Sequence, residues 1–243
     1  MEPPTRKVLF ISAACILAFG ILAFVWFLFD HFHVFGDDYP RRFYRAVLFD
    51  QGGVLVPFKR PGDMPKFQRY LAERPAEYEA YVACERGETT FQDIAPMLEQ
   101  LFPGILEVTD FEASNILSYT RPVNEDLLKA AHLIKKAGIK IGIVTNNYWW
   151  SHKRERTFLI ENTTEFDVVV ESCRVGVRKP DRRIYEIAVE QLGVPAEECI
   201  MVDDLMSNLH GAKAFGMATV YLPNDNTTWA IDELERMLDL KLR

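Results

Sequence analysis

The hydrophobic pattern divides the chain into three parts. Residues 8–29 form an apolar run without a charged side chain. Residues 57–119 show helical periodicity broken by Pro and Gly, with no strand pattern. In 44–56 and 120–243, short apolar runs alternate with amphipathic stretches, as strands and helices do. We therefore predict an N-terminal segment 1–35, a helical insertion and an α/β core.

The apolar run at 8–29 predicts a membrane helix. At a rise of about 1.5 Å per residue it spans roughly the 30 Å hydrocarbon core of a bilayer. A cleaved signal peptide is the alternative, but its apolar region is usually about 7–15 residues long and ends in small residues of a type that this run lacks. We expect an uncleaved anchor and a single-pass membrane protein. Positive residues near the span barely favour either orientation, so the membrane and its side stay open.

Strands and helices alternate in the predicted core. An apolar strand ends at Asp50, and the first helix after the insertion begins at Asn124 or Glu125. The later predicted strands are 139–144, 166–170, 199–202 and 218–222. The predicted helices are 124–137, 151–160, 183–192, 208–215 and 229–238, with short ones at 66–71, 77–84 and 91–101 in the insertion. This alternation predicts a doubly wound, Rossmann-like parallel sheet of the α/β class.

Polar side chains follow the ends of three predicted strands. Asp50, Thr145 and the pair Asp203-Asp204 occupy these positions, and Lys179 precedes a proline between two elements. Parallel strands end at one edge of a sheet, so these groups are expected to meet there. Crowded carboxylates raise one another's pKa unless a cation lies among them, and Mg²⁺ prefers oxygen ligands. The sequence therefore favours a Mg²⁺ and phosphate site at this edge, where an Asp can attack phosphorus as a covalent nucleophile, over the alternative that Asp50 merely opens a turn.

Composition narrows the function further. The formal net charge is -7, which argues against a nucleic-acid partner because such proteins cluster basic residues. The four cysteines show neither a CxxC pair nor a Cys/His metal spacing. From the predicted phosphate site and the apolar run, and not from composition, we expect a phosphorylated small molecule or lipid as the substrate, and the membrane as a partner through the predicted N-terminal helix. The sequence gives no indication of oligomeric state.

Four segments of the chain resemble the motifs of the haloacid dehalogenase (HAD) superfamily. They are the strand that ends in Asp50, the strand that ends in Thr145, the Lys179-Pro dipeptide, and the strand before Asp203-Asp204. Five segments resemble the N-terminal phosphatase-like domain of soluble epoxide hydrolases and the related domain fused to some acyl-CoA dehydrogenases: 49–55, 84–89, 171–176, 179–181 and 202–209. This resemblance implies a small helical cap of the C1 type at 57–119.

The resemblance also implies roles for the metal-site residues. Asp50 would be the nucleophile and a Mg²⁺ ligand. The carbonyl of Gly52 and the carboxylate of Asp204 would be further ligands, with Asp203 close by through water or the lysine. Asn208 would orient a metal-bound water.

The phosphate-binding roles are implied in the same way. Thr145 and the backbone of Asn146 would bind the phosphate. Lys179 would stabilise the charge on Asp50 and on the transferring phosphoryl group.

One position departs from the resembled family. Its phosphatases usually carry a second Asp two residues after the nucleophile, as the general acid that protonates the leaving alcohol. Here that position is Gly52. Two hypotheses follow: a membrane-anchored Mg²⁺-dependent phosphatase that works through an aspartyl-phosphate, or a catalytically weakened binding or scaffold protein.

Several residues near these motifs are assigned structural roles. Trp149 and Trp150 are predicted to pack the core against the cap. Asp181 is predicted to cap the following helix. Arg178, beside Lys179, is predicted to face solvent.

Overall fold

The computed structural model of the chain describes residues 43–57, 63–101, 123–223 and 226–243. The predicted membrane segment 1–35 lies outside these residues, as do parts of the predicted cap. Among the helices that are described, none combines the length and the apolar character needed to cross a bilayer.

The described part of the chain contains a five-stranded sheet in which neighbouring strands run parallel. Its strands are β1 (Ala46–Phe49), β2 (Lys140–Thr145), β3 (Val168–Glu171), β4 (Cys199–Asp203) and β5 (Ala218–Tyr221). Their spatial order is β3-β2-β1-β4-β5, so the first strand along the chain lies at the centre. The predicted doubly wound parallel sheet is confirmed.

Helices fall into two groups along the chain. Those between β1 and β2 that belong to the predicted cap are α1 (Asp63–Ala72), α2 (Pro75–Glu85) and α3 (Phe91–Leu101). Those that accompany the sheet are α4 (Glu125–Lys136), the single turn α5 (Ser172–Val175), α6 (Arg182–Leu192), α7 (Met206–Phe215) and α8 (Thr227–Leu238), with a 3₁₀ turn at Ala196–Glu198.

The helices of the core cover both faces of the sheet. Val47 and Phe49 of β1 face one apolar cluster, which also contains buried residues of α4 and α8. Ala46 and Leu48 face the other cluster, which contains buried residues of α6 and α7. Because both faces are buried, β1 is apolar at every position instead of alternating with polar residues.

Side-chain caps begin two of the core helices where the sequence predicts them. The Asn124 side chain accepts a hydrogen bond from Leu127 N at 3.2 Å at the start of α4. The Asp181 side chain accepts one from Arg183 N at 2.9 Å at the start of α6. Each cap satisfies a backbone N–H that has no partner within its helix.

The helix predicted at 151–160 is wrong, because this stretch forms turns and irregular backbone. Side chains from elsewhere occupy the backbone groups that a helix would pair internally. Phe158 N donates to Asn147 Oδ1 at 3.3 Å, and Ile160 N donates to Gln51 Oε1 at 2.8 Å. Gln51 Nε2 also donates to the carbonyl of Phe158. These bonds tie the stretch to the turn that follows β1.

The cap helices share an apolar cluster with the segment after β2. Phe91 of α3 stacks on Trp150 and Tyr148, with ring centroids 5.2 Å and 5.3 Å apart. Trp150 is 7% exposed and lies in the same cluster as Phe67 and Leu71 of α1. The predicted packing of Trp150 between core and cap is confirmed.

Candidate active site

The sheet brings the predicted polar groups to one edge. Asp50 directly follows β1, Thr145 ends β2, and Asp203 ends β4 with Asp204 next to it. These three strands are adjacent and parallel in the sheet, so their carboxyl ends lie side by side. Asp50, Thr145 and Asp203 are all buried. The expected convergence of these groups is confirmed.

Lys179 lies fully buried between two of the carboxylates. Its Nζ is 2.9 Å from Asp50 Oδ1 and 2.6 Å from Asp203 Oδ2. Asn146 holds the backbone of this lysine from the loop after β2. Lys179 N donates to Asn146 Oδ1 at 2.8 Å, and Asn146 Nδ2 donates to the carbonyl of Lys179 at 3.1 Å. Asn146 thus links the predicted phosphate loop to the lysine through its side chain.

The oxygens of Asp203 are occupied by several donors. Besides Lys179, Leu205 N donates to Oδ1 at 2.9 Å. The amide of Asn208 donates to Oδ1 at 3.0 Å and to Oδ2 at 3.2 Å. Asn208, which was predicted to orient a metal-bound water, therefore contacts the carboxylate of Asp203 and helps to hold it in place.

Asp204 differs from Asp203 because its Oδ1 is buried and makes no hydrogen bond with the described residues. One carboxylate oxygen from each of Asp50, Asp203 and Asp204 lies within 4.8 Å of the others. A buried carboxylate oxygen without a donor is costly, and a cation would satisfy it. Oxygen ligands at this spacing fit a hard divalent ion such as Mg²⁺.

Burial and neighbouring negative charges raise the pKa of two of these carboxyls, those of Asp50 and Asp204. Burial raises the pKa of Asp50 to about 7, although the ammonium of Lys179 opposes this effect. Burial raises the pKa of Asp204 to about 8, and the charges of Asp50 and Asp203 add to it. Burial lowers the pKa of Lys179, but the carboxylates of Asp203 and Asp50 more than offset this, so its pKa is raised overall and it stays charged.

The stability of the metal-free protein is expected to fall as the pH rises from about 4 to 8. The folded state binds protons on Asp50 and Asp204 more tightly than the unfolded state does. This contribution is complete below the ordinary pKa of Asp and is lost as the pH passes about 7 and 8. Melting temperatures in EDTA across this range measure the slope. Asp204→Asn should flatten it, and saturating Mg²⁺ should reverse it because the ion binds the ionised carboxylates.

Gly52 occupies a half-buried position in the turn after Asp50. Its neighbour Gly53 has the positive φ of 75°, which an L side chain rarely adopts, whereas the backbone of Gly52 does not require this conformation. A side chain is therefore compatible with the backbone of residue 52.

Two residues near the site make contacts that the sequence did not predict. The prediction that Arg178 faces solvent is wrong, because its guanidinium pairs with Glu85 of α2 and its side chain is 20% exposed. Gln51, for which the sequence indicates no role, hydrogen-bonds to residues 158–160 and so ties the turn after Asp50 to that segment. The sole hint in the sequence was their place beside Lys179 and Asp50, since neither residue belongs to a periodic pattern.

Comparisons with known proteins identify the family of the chain. A profile of haloacid dehalogenase-like hydrolases matches residues 44–216. Mouse bifunctional epoxide hydrolase 2 is 33% identical over 79% of this chain and 38% of its own length. Mouse acyl-CoA dehydrogenase family member 10 is 31% identical over 83% of this chain and 20% of its own. The chain therefore spans between a fifth and two fifths of the length of these two relatives.

A relative of similar length is the sesquiterpene phosphatase of Aspergillus oryzae. It is 38% identical over 76% of this chain and 93% of its own length.

Solved structures share the fold. A HAD-like hydrolase of Porphyromonas gingivalis superposes with a TM-score of 0.55 at 21% identity, over 82% of this chain and 99% of that one. A HAD family enzyme of Bacteroides thetaiotaomicron, solved with magnesium and inorganic phosphate, gives a TM-score of 0.50 at 15% identity, over 73% and 93%. With its profile match, its relatives and its site, the chain belongs to the haloacid dehalogenase-like hydrolases.

Proposed function

We propose that the chain is a Mg²⁺-dependent phosphomonoester hydrolase that acts through an aspartyl-phosphate on Asp50. The observation that carries the proposal is the buried group of Asp50, Asp203 and Asp204 beside a fully buried Lys179. A buried nucleophilic carboxylate, a fixed cation and a carboxylate oxygen without a partner together match what phosphoryl transfer to an Asp requires.

Asp50 carries the covalent chemistry. A carboxylate oxygen of Asp50 forms a bond to phosphorus as the bond from phosphorus to the leaving alcohol oxygen breaks, and that oxygen takes up a proton from water. Water then attacks the acyl phosphate, which releases inorganic phosphate and restores the carboxylate. The ammonium of Lys179, 2.9 Å from Asp50 Oδ1, balances the charge of the nucleophile and of the transferring group. Thr145 and the backbone of Asn146 are assigned to the phosphate oxygens.

The metal would be held by Asp50, Asp204 and the carbonyl of Gly52. Asp204 is assigned as a ligand because no group in the described part of the chain hydrogen-bonds to its Oδ1. Asp203 already accepts hydrogen bonds from Lys179, Leu205 N and Asn208, so we assign it to support of the lysine. When bound, Mg²⁺ supplies the positive charge that reduces repulsion between the nucleophile and the phosphate.

The proposed substrate is a phosphomonoester of an apolar alcohol, and the proposed location is a membrane, reached through the helix that the sequence predicts at 8–29. The name of the Aspergillus oryzae relative assigns it a sesquiterpene phosphatase activity. The aromatic residues Tyr148 and Trp150 lie in the segment that follows β2, and both stack on Phe91 of the cap. An apolar substrate chain and a membrane anchor are compatible with each other because both partition to the bilayer.

The test is phosphate release by the full chain from farnesyl monophosphate and from glycerol 3-phosphate, each with Mg²⁺ and with EDTA. We expect turnover only with Mg²⁺ and a higher kcat/KM for the apolar ester. Turnover that is equal in EDTA would contradict the metal site. A preference for glycerol 3-phosphate would contradict the substrate class alone.

The alternative is a weakened enzyme that keeps the pocket as a binding site, and Gly52 favours it. Without an acid at this position, no side chain there protonates the leaving alcohol. The alternative predicts that Mg²⁺ with phosphate raises the melting temperature although no ester is hydrolysed. Substitution of Gly52 separates these two possibilities.

Gly52→Asp is expected to raise kcat for alkyl phosphates by about 10²–10⁴-fold, which is the usual contribution of a general acid. The effect should be small for p-nitrophenyl phosphate, because its leaving group needs no proton. Gly52→Asn is the matched control, since it adds the same bulk without the acid. Equal rates for the Asp and Asn variants on an alkyl phosphate would show that the missing acid does not limit this enzyme.

A further inference from the structure

Two adjacent cations, Arg178 and Lys179, point to different parts of the molecule. Lys179 faces the carboxylates of Asp50 and Asp203. Arg178 faces the cap, where its Nε is in ion-pair contact with Glu85 Oε2 near the end of α2. The side chain of Glu85 is 4% exposed and that of Arg178 is 20% exposed. One short segment therefore connects the catalytic lysine to the cap.

Burial of the Glu85–Arg178 ion pair carries a desolvation penalty. Burial raises the pKa of Glu85, and the guanidinium of Arg178 opposes that rise. Tyr81, one turn earlier in α2, also hydrogen-bonds to Glu85. Buried ion pairs often add little stability compared with apolar residues of the same size, whereas the direction of their contacts fixes geometry. A role in positioning therefore explains this pair better than a role in stability does.

The cap segment that contains Glu85 packs closely against the segments after β2 and β3. Ser172 Oγ donates to the carbonyl of Glu85 at 2.6 Å, and Phe91 N donates to the carbonyl of Trp149 at 2.8 Å. A Cβ atom on Gly87 would lie 2.2 Å from the carbonyl oxygen of Cys173, so only glycine permits this approach. The cap end of the ion pair thus has a defined position relative to the core.

The backbone of Lys179 is held from the opposite side by Asn146. The two hydrogen bonds between them, at 2.8 Å and 3.1 Å, fix the peptide units on either side of the lysine Cα. Arg178 O accepts from Asp181 N at 2.8 Å, which closes the turn into α6. The side chain of Arg178 is the link from this turn to the cap.

We propose that Glu85 and Arg178 are positioning residues that keep the ammonium of Lys179 aligned with Asp50 when the cap is packed against the core. The expected fall in kcat rests on the proposed phosphatase function, whereas the expected change in the backbone around Lys179 does not. Loss of the pair removes this contact of the turn with the cap, whereas the hydrogen bonds to Asn146 and the ion pairs of Lys179 with Asp50 and Asp203 remain. Small displacements of a catalytic group are known to reduce rates by up to about 10²-fold.

The kinetic test compares Glu85→Gln, Arg178→Met and Arg178→Lys with the wild-type full chain on p-nitrophenyl phosphate. We expect kcat to fall roughly 10- to 100-fold in Glu85→Gln and Arg178→Met, with KM changed by less than about 3-fold. Arg178→Lys should regain part of kcat because it keeps the charge. Glu186→Gln is the matched control, since it breaks an exposed ion pair with Arg182.

A double variant separates positioning from stability. Glu85→Met with Arg178→Met replaces the ion pair by apolar contacts, which often restores the stability of a buried site. We expect this variant to regain the melting temperature without regaining kcat. Recovery of kcat together with the melting temperature would overturn the proposal, as would single variants with unchanged kcat.

Amide hydrogen exchange gives a readout that does not depend on turnover. The amides of Lys179 and Asp181 are protected by bonds to Asn146 and Arg178. We expect Glu85→Gln to accelerate their exchange in metal-free protein, although Glu85 lies in the cap, and Glu186→Gln to leave it unchanged. If the wild type does not hydrolyse phosphate esters, the proposed function fails and this exchange result alone decides the positioning role. Unchanged exchange in Glu85→Gln would refute it.

Discussion

Asp50→Asn is expected to reduce phosphate release by about 10³-fold or more, because an amide cannot form the acyl phosphate. Asparagine has the same shape as aspartate and keeps an oxygen that can accept from Gln51 N, which donates to Asp50 Oδ1 at 2.6 Å. The fold should therefore persist. The measurement is the rate with saturating Mg²⁺, together with the melting temperature.

The same variant removes a negative charge that faces Asp204. In EDTA at pH 8 its melting temperature should equal or exceed that of the wild type, since the charge of Asp50 raises the pKa of Asp204. Asp126→Asn, an exposed change in the first turn of α4, is the control for a simple loss of charge. An Asp50→Asn variant with wild-type turnover would exclude Asp50 as the nucleophile.

Lys179→Met is expected to cost about 3–5 kcal/mol in the free energy of unfolding at pH 8, as the loss of one partner from a buried ion pair usually does. Lys179 is fully buried, and its removal leaves the carboxylates of Asp50 and Asp203 facing each other without the ammonium. The loss should be smaller at pH 5, because the raised pKa of Asp50 lets this carboxyl take up a proton. Urea unfolding at the two pH values measures both effects, and turnover should be abolished.

Lys213→Met is the control for Lys179→Met. Lys213 lies exposed in the last turn of α7, and its replacement is expected to change stability by no more than about 0.5 kcal/mol. Two outcomes would contradict the assigned role of Lys179 in neutralising Asp50 and Asp203. One is an equal loss of stability in the two variants, and the other is a loss in Lys179→Met that does not depend on pH.

The fold class and the site edge were predictable because they depend on local order in the chain. Apolar runs that alternate with amphipathic helices require a parallel sheet, and polar residues at the ends of its strands must then share one edge. Asp50, Thr145 and Asp203 lie there as predicted. The resemblance to HAD hydrolases rested on the same few residues, and the family match confirms it.

Predictions failed where side chains distant in sequence decide the outcome. The periodicity of 151–160 suggests a helix, but Asn147 and Gln51 hydrogen-bond to its backbone and hold it in an irregular form. Such tertiary bonds outweigh helical propensity, which contributes only fractions of a kcal/mol per residue.

By itself, the sequence determined the parallel sheet and the set of polar groups at its edge, because the strands and their ends follow from local patterns. The central position of the strand before Asp50 was set by the order in which the strands pair. Only the tertiary structure decided how those groups divide their contacts. Among the described residues, one buried oxygen of Asp204 has no hydrogen-bond donor, whereas Asp203 accepts from several donors. Arg178 pairs with Glu85 instead of facing solvent as predicted. These outcomes depend on burial and on partners far apart in the chain, which no local pattern of residues encodes.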